Sequence, residues 1–221
     1  MVKLGGKNRK ADVLGTKASM LARMSQQVYT DRTRREDIDG YVYMPHVSND
    51  ENATYKRGRD IIVASRGTRL GEGVGRAWED SKANLNIIAG TFDQSERFNR
   101  DLKHTRALRE QYGNGFKVQF TGHSLGGQAA ATKGAIYGAQ ATTFNPGSGL
   151  FTSKLLKKRQ RNCDKGDQSD FCRTTNYKID YDLLSMLGSG YGTTVGKDGS
   201  IWGGLSNHSM SNYISAVPIK R

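Results

Sequence analysis

Five residues, Gly122-His123-Ser124-Leu125-Gly126, constrain the fold of this 221-residue chain more than any other stretch. They follow a run of β-branched and aromatic residues at 116–121, which is typical of a strand. They precede a run of very small side chains at 127–135, which favours a closely packed helix. A strand, a tight turn and a helix in this order present the serine hydroxyl above a sheet edge, at the positive end of the helix dipole. We interpret Ser124 as a candidate nucleophile; in a chain with 27 glycines, the alternative is an ordinary glycine-rich turn.

Strand-like and helix-like runs alternate along the rest of the chain, which predicts an α/β fold. We expect one domain over residues 13–221, preceded by a basic, flexible arm at 1–12. Because Ser124 follows a strand, the candidate site lies in a crevice at the carboxyl ends of the strands. The predicted strands are 40–44, 60–64, 116–121, 139–144 and 175–179, and the predicted helices are 14–28, 98–112 and 127–135.

Three polar segments between these elements have weaker signals. Residues 46–59 are interpreted as a loop or one arm of a hairpin, and residues 192–204 as a hairpin. Residues 151–173 form a basic insert, for which a solvated helix and loop is the simplest expectation. Cys163 and Cys172 lie in this insert and could form a small disulfide loop, but two cysteines do not make a disulfide framework.

The charge of the chain favours anionic partners. The net charge is +13, so nucleic acid, anionic lipid headgroups and acidic proteins are all candidates, with plain solubility as the alternative. No apolar run approaches the roughly 20 residues that cross a bilayer. The basic N-terminus lacks the apolar segment of a Sec-type signal peptide. We therefore expect a soluble protein, with a cytoplasmic or virion-associated location both left open.

A nucleophilic serine needs a base, and the chain has four histidines. His123 lies inside the turn, which directs its side chain, so it is a poor base for Ser124. His104 lies among charges in a predicted helix and is interpreted as a solvated residue. His46 precedes the serine in a polar loop. His208 follows the last predicted strands, and the chain order of serine, acid and histidine favours it as the base.

The acid that orients the base should lie between Ser124 and His208, just beyond a strand. Asp180 and Asp182 both follow the predicted strand at 175–179. Asp198 lies at the tip of the predicted hairpin and is more simply a turn residue. From position alone, Asp180 and Asp182 remain alternatives.

An oxyanion hole requires two backbone N–H groups near the serine. The first is expected from Leu125, the residue after the candidate nucleophile. The second should come from the loop that follows a neighbouring strand. Thr68 lies at that place, after the strongly apolar run at 60–64.

Four segments resemble the motifs of the class 3 (fungal-type) lipases, a family with the α/β-hydrolase fold. The resemblance implies that Ser124 is the nucleophile, Thr68 an oxyanion-hole residue and His208 the base, and its acid-bearing segment matches Asp182 better than Asp180. The stretch at 69–76, interpreted as a mobile loop, lacks the lid helix of the secreted fungal enzymes. The short, basic form is more similar to compact lipases of bacteria and large DNA viruses. The four segments are Asp60-Ile-Ile-Val-Ala-Ser-Arg-Gly-Thr68, Thr121-Gly-His-Ser-Leu-Gly-Gly127, Thr143-Phe-Asn-Pro146 and Asn207-His-Ser-Met-Ser-Asn-Tyr213.

The sequence therefore predicts a serine esterase that hydrolyses carboxylic esters of lipids, as a triacylglycerol lipase or a phospholipase. Ser124, Asp182 and His208 would form the catalytic triad, and no metal or organic cofactor is expected. One alternative is a basic structural or packaging protein of a virion, bound to nucleic acid and with little or no activity. A second alternative is a peptidase or other acyl transferase with the same triad, because fold and triad do not determine the acyl substrate.

Overall fold

A computed structural model describes residues 16–67, 96–146, 154–180, 182, 191–197 and 208–214. Within these residues, one sheet of seven strands has its strands in chain order from β1 to β7. The first three strands pair antiparallel, and β3 to β7 pair parallel. The strands are β1 (Val42–Tyr43), β2 (Asn52–Arg57), β3 (Asp60–Ser65), β4 (Lys117–His123), β5 (Ala141–Phe144), β6 (Thr175–Ile179) and β7 (Thr193–Lys197).

Helices cover both faces of this sheet. On one face, α1 (Thr16–Gln27) and the short α5 (Ser211–Ile214) pack into one apolar cluster with β3. On the other face lie α2 (Glu96–Tyr112), α3 (Leu125–Tyr137) and α4 (Lys154–Asp164), with α3 contacting both neighbours. The α/β fold that the sequence predicts is confirmed as a mostly parallel central sheet with helices on both sides.

Strand β3 is apolar from Ile61 to Ala64 because both of its faces are covered. Ile62 and Ala64 point into the cluster that contains α1, whereas Ile61 and Val63 point into the cluster beneath α2 and α3. A strand that is buried on both faces should be continuously apolar. Strand β4 beside it carries three buried polar side chains, those of Gln119, Thr121 and His123. The Gln119 amide donates a hydrogen bond to the hydroxyl of a β5 threonine over 3.2 Å.

The chain before β3 is more regular than its polar composition indicates. Of the strand predicted at 40–44, only Val42–Tyr43 forms. Of the two interpretations of residues 46–59, the hairpin arm is correct: β2 pairs with β3 along its whole length. Asn52 and Thr54 are buried within it, and each finds hydrogen-bond partners, so polar residues occupy interior positions.

The basic insert is only partly solvated, which corrects the sequence interpretation. Leu156 of α4 and Phe171 of the following turn (Asp170–Arg173) are buried against small residues of α3. Lys157 and Lys158 on the same helix are exposed. Cys163 and Cys172 form a disulfide that joins α4 to that turn.

Some predicted features lie outside the described residues: the arm at 1–12, the glycine-rich loop at 69–76 and the second arm of the predicted hairpin at 192–204. The first arm of that hairpin is β7, which pairs parallel with β6. No helix among the described residues is long and apolar enough to span a membrane.

Candidate active site

Ser124 lies between the end of β4 and the start of α3, in a backbone conformation that few residues other than glycine adopt. Its φ is 56° and its ψ is −129°. Such a conformation costs about 1–3 kcal/mol and persists only where the surrounding structure enforces it. The amide of Ser124 is held by the Phe144 carbonyl of β5 at 3.1 Å, and its own carbonyl accepts bonds from the amides of Gly127 and Gln128. The strained turn is therefore fixed from both sides.

Two glycines allow the chain to pack tightly around this turn. A Cβ atom on Gly122 would collide with the carbonyl oxygen of Gly126. A Cβ atom on Gly126 would collide with the carbonyl oxygen of Ser65 at the end of β3. The first turn of α3 thus lies directly against the segment that leaves β3. Any larger residue at Gly122 or Gly126 would push the serine out of place.

Asp182 and His208 are 26 residues apart in the chain and are joined by a hydrogen bond. Oδ2 of Asp182 lies 2.8 Å from Nδ1 of His208. The carboxylate is 0% exposed and the histidine is 7% exposed. Because a carboxylate only accepts, Nδ1 of His208 carries the proton and Nε2 is left as the basic atom of the neutral ring. Nε2 is buried and has no hydrogen-bond partner among the described residues.

The His208 ring lies beside the serine turn. Its centroid is 4.8 Å from that of His123, the residue before Ser124. Nε2 of His123 also lies 2.6 Å from the carbonyl oxygen of His208. The structure therefore pairs the buried Asp182 carboxylate with His208 and places the His208 ring beside the strained turn that carries Ser124. The Ser124 hydroxyl and Nε2 of His208 are not hydrogen-bonded to each other.

The other candidate acids and bases lie elsewhere. Asp180 is exposed at the end of β6, and Asp198 lies outside the described residues. His46 is exposed. His104 is half-buried, not solvated as the sequence indicates, and its Nε2 lies 2.7 Å from the carbonyl oxygen of Val47. Burial lowers the pKa of the His104 imidazole.

His123 is also unsuited to act as a base. Burial is the main cause that lowers its pKa to about 3, and the neighbouring His208 lowers it further. The ring is therefore neutral at physiological pH. One of its nitrogens is bonded to the His208 carbonyl, and the other lies 3.3 Å from the hydroxyl of Tyr29.

The two expected oxyanion donors differ in how far the structure describes them. Leu125 is the first residue of α3, directly after the serine, and its side chain is buried. Thr68 lies outside the described residues, one position beyond Gly67. A Cβ atom on Gly67 would lie 3.0 Å from the carbonyl oxygen of His123 and 3.5 Å from the amide nitrogen of Gly126. The loop that leads to Thr68 therefore passes beside the serine turn.

Sequence reasoning missed two residues that shape the site. Asn145 accepts hydrogen bonds at its Oδ1 from the Ile179 amide and the Tyr213 hydroxyl. It thereby anchors the end of β6, from which Asp182 follows. In the sequence it was marked only by its place at the stop of a strand and within the motif Thr143-Phe-Asn-Pro146, with no role assigned to it. Lys133 of α3 is completely buried, and nothing in the sequence distinguishes it from a surface lysine.

The match to a protein family decides the class of the chain. Residues 43–219 match the family model described as Phospholipase-like, Tle-like phospholipase domain. The chain belongs to this family. No curated protein sequence matches the chain. The predicted lipase resemblance is thus confirmed at the level of a lipase/phospholipase-like family, and membership supports lipid ester hydrolysis as the general activity of this phospholipase-like chain.

Proposed function

We propose that the chain is a serine hydrolase that cleaves a carboxylic ester bond of phospholipids, with Ser124, His208 and Asp182 as its catalytic triad. One observation carries the assignment. A buried carboxylate holds Nδ1 of His208 and leaves Nε2 without a hydrogen bond, and the His208 ring lies beside the strained turn that carries Ser124. This is the arrangement by which an acid orients a base for a serine nucleophile. The matching lipase-like motifs, including those shared with class 3 lipases, agree with it.

In the proposed reaction, Ser124 Oγ attacks the ester carbonyl carbon while His208 Nε2 takes the serine proton. The carbonyl electron pair moves to oxygen, and the N–H groups of Leu125 and Thr68 stabilise this oxyanion. When the tetrahedral intermediate collapses, the carbon–oxygen bond to the alcohol breaks, and His208 delivers its proton to that alcohol. Water then attacks the acyl-enzyme while His208 accepts a water proton. As this second intermediate collapses, His208 returns the proton to Ser124 Oγ and the fatty acid is released. Asp182 stabilises the imidazolium in both halves.

The preference for phospholipid over neutral lipid follows from charge. Exposed Lys157, Lys158 and Arg161 lie on α4. This helix begins after β5, whose carboxyl end is at the same sheet edge as Ser124. Each basic residue near an anionic membrane contributes on the order of 1 kcal/mol. A neutral triglyceride droplet offers no such attraction.

The triad is tested by Ser124→Ala in a short-chain ester assay, with Ser209→Ala as the control. Ser209 is an exposed serine that directly follows His208, so it matches the site in position but not in role. Loss of a nucleophile typically costs about 10⁴-fold or more in kcat. We expect that loss for Ser124→Ala and little change for Ser209→Ala. Near-normal activity of Ser124→Ala would refute the triad.

The lipid preference is tested with vesicles of zwitterionic phospholipid, with and without anionic phospholipid. We expect faster hydrolysis on the anionic vesicles, a preference that fades with added salt because screening shortens electrostatic reach to about 10 Å at 0.1 M. The double variant Lys157→Gln/Lys158→Gln should lose part of the preference and keep its rate on a soluble ester. Equal rates on both vesicles at low salt would refute the lipid preference and leave the triad intact.

A further inference from the structure

His123 is buried at the end of β4, and both nitrogens of its ring have partners. Nε2 lies 2.6 Å from the His208 carbonyl oxygen, and Nδ1 lies 3.3 Å from the Tyr29 hydroxyl. The same hydroxyl is 3.0 Å from the amide nitrogen of Gly67. These bonds join three chain segments: the end of α1, the loop after β3 and the segment that carries His208.

The direction of each bond follows from donor and acceptor chemistry. A carbonyl oxygen only accepts, so Nε2 of His123 must carry the ring proton. The neutral ring then has a lone pair on Nδ1, which accepts the Tyr29 hydroxyl proton. The Tyr29 oxygen in turn accepts the N–H of Gly67. The hydroxyl also lies 3.5 Å from the carbonyl oxygen of His123 itself, a second acceptor in the same residue. One tautomer of His123 is therefore compatible with all of these contacts.

Each end of this chain of bonds reaches a part of the proposed catalytic machinery. His208 is held twice, by Asp182 at its side chain and by His123 at its backbone. Gly67 directly precedes Thr68, the proposed oxyanion donor. The hydroxyl of Tyr29 leaves no room for a side chain at Gly67, so this loop is packed closely against the tyrosine.

We propose that His123 is a positioning residue that fixes the histidine-bearing segment and the oxyanion loop relative to Ser124 through its Nε2–H tautomer. This inference rests on the proposed serine mechanism. The neutral ring has a second consequence, since His208 becomes positively charged during the reaction. The ionisable groups close to His123 are His208, Asp182 and Tyr29, and burial keeps the pKa of His123 at about 3. An uncharged neighbour does not oppose the charge that forms on His208.

The tautomer is tested without any activity, by long-range ¹⁵N–¹H correlation spectra of the wild-type imidazoles. We expect the His123 ring to stay in the neutral Nε2–H form from pH 8 down to about pH 5, well above its folded pKa. A ring protonated at Nδ1, or a cationic ring at pH 6, would overturn the proposal. This measurement is independent of whether the chain is an esterase.

The positioning role is tested by separating kcat from KM on a soluble ester. His123→Leu removes both bonds, whereas His123→Gln keeps an amide N–H near the place of Nε2. A misplacement of about 1 Å can cost on the order of 10²-fold in rate, so we expect a kcat loss of that order for the leucine variant with KM nearly unchanged. The glutamine variant should recover about tenfold, the equivalent of one hydrogen bond. Tyr29→Phe, which keeps the ring and removes the hydroxyl, should also lower kcat.

His104→Gln is the matched control. In the wild type, Nε2 of His104 also bonds a backbone carbonyl, but His104 lies on α2, away from the proposed catalytic residues. If His123 had only a structural role, His123→Leu and His104→Gln would both lower the unfolding temperature and would change kcat to the same extent. An unchanged kcat in folded His123→Leu and Tyr29→Phe would overturn the proposal. If Ser124→Ala keeps its activity, the serine mechanism fails instead.

Discussion

Lys133 should be the most costly lysine to replace among the described residues. Its side chain is 0% exposed, and Nζ lies 2.7 Å from Oδ1 of Asp101 on α2. Nζ also donates to the hydroxyl of Ser65 at 2.7 Å and to Oδ1 of Asn52 at 3.1 Å. The helix that begins at the serine turn is thereby tied to α2 and to the end of β3, where the oxyanion loop starts.

Lys133→Met keeps most of the volume and removes the charge. Asp101 is then left buried with no cation, whereas Ser65 and Asn52 still have each other within 3.4 Å. Breaking one partner of a buried ion pair costs about 3–5 kcal/mol. For a domain of about 150–250 residues, each kcal/mol lowers the unfolding temperature by roughly 2–4 °C. We therefore expect the unfolding midpoint to fall by roughly 6–20 °C.

The assay is urea and thermal unfolding of the wild type, Lys133→Met, Asp101→Leu and the double variant. The double variant should be less destabilised than the sum of the two single variants, because it leaves no unpaired buried charge. Lys103→Met is the control: this lysine is exposed on α2, and such surface changes stay within about 0.5 kcal/mol. A loss below 1 kcal/mol for Lys133→Met, or strict additivity in the double variant, would refute the argument.

Three further outcomes are expected. Asp182→Asn should lower kcat by about 10⁴-fold, as is usual for a triad aspartate, whereas Asp180→Asn should change it little; comparable losses measured with a soluble ester would contradict the choice of acid. Because the folded pKa of His123 is about 3 and the unfolded value is near 6.5, its contribution to stability is full above pH 6.5 and falls by about 1.4 kcal/mol per pH unit below it. Urea titrations from pH 7 to pH 5 should show this slope in the wild type and a shallower one in a glutamine variant. Replacing Cys163 and Cys172 by serine should lower the free energy of unfolding by about 2–3 kcal/mol, because the disulfide no longer restricts the unfolded chain. The kcat on a soluble ester should stay unchanged. Loss of activity in the folded double variant would show that the insert supports the site.

Local sequence patterns were sufficient to predict those parts of the fold that depend on a single strand or turn. The apolar run in β3 and the glycines around Ser124 each point to one local structure, because burial on both faces and close backbone packing leave few alternatives. Strand β2 was ambiguous since its polar residues, such as Asn52, are satisfied by partners distant in the sequence. Lys133 and Tyr29 acquire their roles only through tertiary contacts, which no local pattern records.

The choice between the two aspartates shows the same limit. Asp180 and Asp182 are two apart, so an extended chain would point both to one side. In the structure the chain turns after β6, and the Asp182 amide bonds to the Ile179 carbonyl at 3.3 Å. This turn buries one carboxylate and exposes the other. The motif match favoured Asp182, and position alone could not separate the two.

The central claim is that Ser124 is the nucleophile, and covalent labelling tests it most directly. The protein would be treated with a fluorophosphonate, denatured, digested with trypsin and analysed by mass spectrometry. Cleavage after Lys117 and Lys133 gives a peptide, residues 118–133, in which Ser124 is the only serine. We expect the label on this peptide, and its loss in His208→Ala, which lacks the base. A label on another peptide, or hydrolysis of esters by a protein that takes up no label at Ser124, would contradict the claim.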